Sequence, residues 1–339
     1  MKKLAFAFFA LCLSLSALAD EVRLKDPHPD RYTVVKGDTL WDISGTFLQN
    51  PWMWPEIWQV NPQIENPHLI YPGDVIKLVY LDGRPRLTLE RGTRNVKLSP
   101  QVRAIPLDEA IPAIPLDEIN NFLSRSRVVT AAEMEAAPHV LTGAEQHLVV
   151  GAGDQLYARG DFSDGAQVYG VYRGGQRFID PQTNELLGLQ ALDIGTVKIR
   201  DEQGDLGTFD VTRSVEEIRI ADRLLPHEER AIESTFYPSR PEEGLEGVIM
   251  AVEGGLTQVG RMDVVAFNRG EREGVEVGNV FAIYKDGGAI RDRVKGDVVK
   301  LPDEKAGLMM VFRTFEKMSL ALVLEASRPL AVNDKARHP

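Results

Sequence analysis

The chain has 339 residues and a formal net charge of -11, with 50 acidic residues against 39 lysines and arginines. That balance argues against nucleic acid and anionic lipid surfaces as partners, both of which require clustered positive charge. The length predicts two or three domains, and a single cysteine excludes a disulfide framework, so the folded parts must rest on hydrophobic cores.

The first nineteen residues combine Lys2 and Lys3, an apolar run from Leu4 to Leu15 and the small-residue exit Ala17-Leu-Ala19. This pattern reads as a secretory signal cleaved after Ala19, too short to cross a bilayer as a finished helix. Losing the two lysines would take the charge from -11 to -13. Cys12 follows Leu11 inside the apolar run, where a lipidated cysteine would follow a small residue, so export is expected to leave no thiol. No second run is long and apolar enough for a membrane span, so, given the signal, the mature chain is expected to be soluble outside the cytoplasm.

Residues 20–31 form a polar lead with two prolines, expected to be a tether. The stretch Tyr32-Thr-Val-Val-Lys-Gly-Asp-Thr-Leu-Trp41 then predicts a short strand, a Gly-Asp turn and a helix capped by Asp38 or Thr39, whose oxygens can accept from unpaired first-turn amides. Leu69-Ile-Tyr-Pro-Gly-Asp-Val-Ile-Lys-Leu78 predicts a Pro-Gly turn into a second strand. The spacing of Leu40, Ile43, Val75 and Ile76 fits a buried face.

Together these two motifs resemble a LysM domain over residues 32–79. The resemblance implies a small α+β fold of βααβ order and binding to N-acetylglucosamine polymers, which in a bacterial envelope means peptidoglycan. Carried over by position, it implies glycan contacts at Gly37, Asp38, Thr39 and Leu40 in the first loop and at Asn66, Leu69, Ile70 and Tyr71 in the second. Backbone amides and carbonyls of those loops would meet the acetamido group, and apolar side chains its methyl. The blander reading, that these residues only build the domain, is favoured for Leu40.

One departure from the LysM pattern is Gln49-Asn-Pro-Trp-Met-Trp-Pro-Glu-Ile-Trp58, where a short turn between helices is usual. Trp52, Trp54 and Trp58 either stack on sugar faces or anchor an interface, or they pack over the helices as a lid on a small core. The Asn-Pro pairs at 50, 61 and 66 read as turn formers.

Residues 80–146 read as an extended, proline-containing connection. It holds a hairpin turn at Asp82-Gly83, a duplicated Ala-Ile-Pro-Leu-Asp-Glu at 104 and 113, and two short helices, Ile119–Leu123 and Ala131–Ala136, capped by Asp117 and Thr130. From His147 the chain turns to short strand-like runs with frequent glycine. Val168-Tyr-Gly-Val-Tyr-Arg173 recurs as Val280-Phe-Ala-Ile-Tyr-Lys285, a shift of 112 residues. The same shift carries Gly195 onto Gly307, Val211 onto Val323 and Asp222-Arg223 onto Asp334-Lys335. Two β-rich copies, 147–228 and 246–339, joined by a charged linker at 229–245, are therefore expected, each a small barrel or sandwich.

No pattern in the chain predicts catalysis. Ile232-Glu-Ser-Thr-Phe-Tyr-Pro238 is similar to the start of soluble lytic transglycosylases, in which Glu233 would be the general acid, but the helical domain that builds their pocket is not predicted. The mature chain lacks a nucleophilic thiol, its histidines are scattered, and its serines lie in no nucleophile-elbow pattern, so no catalytic residue, metal or cofactor is expected. Asp161-Phe-Ser-Asp-Gly165 has a calcium-loop flavour but reads as a polar turn.

The order of signal, LysM with a Trp-Pro-Glu-Ile-Trp insertion, and β-rich repeats resembles the type IV pilus secretin-associated protein family. That resemblance implies a non-catalytic periplasmic scaffold holding peptidoglycan at one end and an outer-membrane secretin at the other, with copies arrayed around a ring.

Overall fold

The computed structural model describes residues 22–58, 70–90, 126–227, 236–252 and 258–339. Chain contacts divide it after residue 114 into two compact units. The duplicated proline segment, the expected helix at 119–123 and the peptide around Glu233 lie outside the described residues.

The first unit contains β1 (Arg31–Thr33), α1 (Leu40–Phe47), α2 (Trp54–Trp58), β2 (Val75–Leu81) and β3 (Arg84–Glu90). Its antiparallel sheet runs β1-β2-β3, with Tyr32 opposite Ile76 and Leu78 opposite Leu87. The β2–β3 hairpin turns at Asp82 and Gly83, both at positive φ (51° and 75°), as a tight two-residue turn requires. Thr39 is the cap of α1, accepting from the Asp42 amide at 3.1 Å. Leu40, Ile43, Phe47, Ile57, Ile70 and Ile76 are all buried. Each such side chain contributes roughly 1.5–3 kcal/mol by leaving water. The lead expected to be a free tether is instead paired to the module: the Lys25 amide donates to Phe47 O at 2.8 Å and the Gln49 amide to Arg23 O at 2.9 Å.

The second unit begins with β4 (Ser126–Val129) and α3 (Ala131–Ala136), the latter closed by a reciprocal cap between Thr130 and Glu133. Then follow β5 (His139–Gly143), β6 (Val149–Val150), β7 (Gln155–Arg159), β8 (Val168–Ile179), β9 (Leu186–Gln203), β10 (Leu206–Ser214), β11 (Ile218–Arg219) and β12 (Arg223–Pro226). The next series is β13 (Glu246–Val252), β14 (Gln258–Val259), β15 (Val264–Phe267), β16 (Val280–Lys285), β17 (Ala289–Arg291), β18 (Val298–Lys300), β19 (Glu304–Thr314), β20 (Ser319–Ala326), β21 (Leu330–Ala331) and β22 (Lys335–Arg337).

Both series close into the same barrel. The first ring runs β5-β7-β10-β9-β8-β12, with β4 added on the outer side of β9; the second runs β13-β15-β20-β19-β16-β22. The small pairs β6–β11 and β14–β21 also correspond. The first barrel therefore takes in β5, upstream of the boundary expected at 147.

Strand register repeats residue for residue at the 112 shift. Val197 faces Val211 as Met309 faces Val323, and Thr196 faces Arg213 as Leu308 faces Glu325, with bulges at equivalent places. Glycine is needed beside them, since a Cβ at Gly195 would lie 2.5 Å from Arg213 O and one at Gly307 2.3 Å from Glu325 O. Each barrel encloses its own core, built on Tyr169 and Phe209 in the first and Phe267 and Phe281 in the second.

In the first barrel β8 and β9 run on past the ring as a long hairpin that covers the second barrel. Phe178, Asp180 and Leu187 are buried there. Asn268 Nδ2 donates to Asp180 Oδ1 at 3.1 Å, and Glu185 accepts from Lys317 Nζ at 2.7 Å and from both Arg272 Nη atoms at 3.1–3.2 Å.

Candidate functional site

The two loops singled out in the first unit are built by one device. In each, a residue at positive φ precedes an aspartate whose carboxylate accepts from the amide three residues upstream. Gly37 (φ 97°) precedes Asp38, which accepts from the Val35 amide at 2.8 Å; Gly73 (φ 93°) precedes Asp74, which accepts from the Tyr71 amide at 3.1 Å. Glycine suits this conformation because it has no Cβ to clash with the following carbonyl. The loops are joined across the sheet end, the Val34 amide donating to Asp74 O at 2.9 Å and the Gly73 amide to Val34 O at 2.7 Å.

The first loop is tied down from within. Asp38 also accepts from the Tyr32 hydroxyl at 3.0 Å, and burial together with this carboxylate raises the Tyr32 pKa above its ordinary value. Thr39 is buried and bonds Asp42, and the Leu40 and Ile70 side chains lie in the core. Outward these loops present Val35, Lys36, Gly37 and Gly73, all exposed, with Tyr71 half-buried beside them. Asn66 and Leu69 lie outside the described residues.

Tyr32 was not among the candidate site residues, although it positions Asp38. Its signal in the sequence is the six-residue offset to an aspartate at the tip of the adjoining turn.

The tryptophans take the packing alternative. Trp52, Trp54 and Trp58 are 3%, 1% and 6% exposed, which leaves no ring face for a sugar to stack on. They sit on and after a short helical turn at Pro51–Met53 and fill the space over α1, while Arg86 of β3 donates to Glu56 O across α2. The insertion thus enlarges the core of a small module.

In the second unit, Asp161 accepts from the Ser163 amide at 2.9 Å, while Asp164 accepts from the Ala166 amide at 3.0 Å and the Tyr169 hydroxyl at 2.5 Å. That is the bonding of a polar turn. Among the described residues no group of three histidines, cysteines or carboxylates could hold a metal ion. No helix among them is long and apolar enough to cross a membrane.

Residues 32–79 match the family model of the LysM domain. This segment is a LysM domain, a peptidoglycan-binding and non-catalytic module. The chain is also similar to a Bacillus subtilis (strain 168) protein described as uncharacterized protein YqbP, with 42% identity over 60 residues, 15% of this chain. The similarity spans 27% of that protein's length.

Proposed function

We propose that the chain is a non-catalytic periplasmic scaffold that grips peptidoglycan through residues 32–79 and presents its paired barrels to an envelope assembly. The observation that carries this reading is the LysM match over residues 32–79, whose two adjoining loops are each held from within by a Gly-Asp turn. Such loops suit an acetamido group, which asks for one donor, one acceptor and a place for a methyl. The contacts are assigned to the backbone of Gly37, Asp38 and Thr39 and to the segment from Asn66 to Tyr71.

The partner of the barrels is, in this proposal, an outer-membrane secretin of the type IV pilus. Support comes from the order of segments, which resembles that of secretin-associated proteins, and from the signal-like first nineteen residues. A single LysM module offers a small interface, so a tether of this kind gains from several copies acting together.

Incubation of the purified protein with peptidoglycan sacculi tests the wall reading. Co-sedimentation without released muropeptides is expected; release that is lost in Glu233→Gln would replace the scaffold with an enzyme. Affinity purification from cell envelopes tests the partner, and absence of any enriched secretin would remove the pilus assignment while leaving wall binding in place.

A further inference from the structure

The long hairpin of the first barrel has a twin. In the second barrel β17 and β18 occupy the place of the outer halves of β8 and β9, and their six-residue turn repeats the first at the 112 shift. The Asp180 amide donates to Glu185 O at 2.9 Å and the Asn184 amide to Asp180 O at 2.8 Å; the Asp292 amide donates to Asp297 O at 2.8 Å and the Gly296 amide to Asp292 O at 2.9 Å. Asp180 accepts from the Gln182 amide at 2.8 Å, as Asp292 does from the Val294 amide at 2.7 Å.

The two hairpins differ in what covers them. Phe178 and Leu187 are 5% and 6% exposed against the second barrel, whereas their counterparts Ile290 and Val299 are 52% and 43% exposed, and Val294 at the tip is 93% exposed. Such an exposed apolar hairpin is the kind of surface that contacts between proteins use.

The surface that would receive it is also present and also open. The first hairpin rests on Met318, which is fully buried and whose sulfur lies 3.1 Å from where a Cβ at Gly188 would project. The counterpart of Met318 in the first barrel is Leu206, 37% exposed, and that of buried Leu320 is half-exposed Thr208.

Charge differs on both members. The first hairpin carries only acids between Asp180 and Glu185 and meets the loop Arg313-Thr-Phe-Glu-Lys317, whose lysine binds Glu185. The equivalent turn of the second hairpin carries Asp292, Arg293, Lys295 and Asp297, flanked by Arg291 and Lys300 where the first has Ile179 and Gly188, and the loop in the first barrel that replaces 313–317 is Asp201-Glu-Gln-Gly-Asp205. An acidic tip on a basic rim has thus become a mixed tip flanked by basic residues and facing an acidic rim. Gly188 is replaced by Lys300, which in a docked pair would lie beside Leu206 and Asp205.

We infer that the exposed β17–β18 hairpin docks on the β7–β10 face of the first barrel of a second copy of this chain, repeating between molecules the contact that joins the two barrels within one. The interface is heterologous. Each copy keeps one free hairpin and one free receiving face, so association propagates head to tail and yields a ring or an open string.

The test is sedimentation velocity of the purified protein over the micromolar range, with two variants on exposed side chains. Ile290→Asp disables the hairpin and Leu206→Asp disables the receiving face. Wild type is expected to grow in mass with concentration, and less so at high salt because the rims are charged. Each variant alone is expected to stay monomeric, and an equal mixture of the two to form a dimer that grows no further, because only one complementary pair of surfaces remains.

A wild type that is monomeric throughout, a variant that associates like wild type, or a mixture that stays monomeric while wild type associates would each overturn the inference. Melting followed by circular dichroism confirms that both variants are folded. Ile290→Ser and Leu206→Ser stand in if either is not.

Discussion

Arg173 donates to both carboxylate oxygens of Asp222, from Nε at 2.9 Å and from Nη2 at 2.8 Å, and 112 residues later Lys285 meets Asp334 at 2.8 Å in the same place. Both aspartates also close a turn, accepting from the amides of Arg219 and Ala331 at 2.8 Å. One ion pair on one turn has therefore been kept through the duplication, bidentate in the first barrel and single-pointed in the second.

The two pairs should not be worth the same. The Asp222 side chain is 4% exposed and its partner is a planar fork; Asp334 is 10% exposed and its partner is a point charge. Asp222→Asn is expected to destabilise by about 2–3 kcal/mol and Asp334→Asn by about 1 kcal/mol, read from urea unfolding. A reversed ranking would contradict this account.

Alanine is not tolerated at the bulge glycines. Because a Cβ at Gly195 or Gly307 would strike a backbone carbonyl within 2.5 Å, Gly195→Ala and Gly307→Ala are each expected to cost about 2 kcal/mol or more and to lower the melting temperature of the barrels. Gly204→Ala is the control for strain without a clash: its φ is +66° and nothing lies within 4 Å of its Cβ.

Gly37→Val probes the wall-binding loop. No atom lies within 4 Å of a Cβ there, so the cost at φ +97° is conformational, about 1–2 kcal/mol. Retention on sacculi is expected to fall while barrel melting is unchanged, and Gly37→Asn is expected to lie between wild type and Gly37→Val. Loss of barrel stability alongside wall binding would argue against independent units.

Contact between the barrels should depend on pH. Hydrogen bonds from Arg272 and then Lys317 lower the Glu185 pKa from 4.5 to about 2. A depressed folded-state pKa means that its contribution is complete above about 4.5, the unfolded value, and fades as pH falls towards about 2. The melting-temperature difference between wild type and Glu185→Gln should therefore shrink across that window. A difference independent of pH would show that the Glu185 charge is not what holds the hairpin down.

Much of the architecture was legible because its signals are local. Asp82-Gly83 predicts its turn from two residues, and the Thr130 cap from four. The 112-residue repeat could be read because the barrels demand the same inward positions and the same bulge glycines twice. The Gly-Asp turns of the two loops were legible from Gly37-Asp38 and Gly73-Asp74. The burial of Leu40 was legible from its spacing with Ile43, whereas that of Thr39 and Ile70 was not, since polar loop residues and core residues alternate there without a clear period.

The tryptophan cluster shows where such reading stops. Composition permits either sugar stacking or packing, and the choice rests on whether other elements arrive to cover the rings. In this chain they do.

The sequence by itself determined the hairpin turn, the Thr130 cap, the LysM segment and the duplication, because each depends on conformational preferences within a few residues or on a pattern repeated along the chain. Only the tertiary structure decided that Phe178 is covered while Ile290 is not. Two hairpins with the same turn have the same local energetics, and burial is conferred by a surface from elsewhere in the fold.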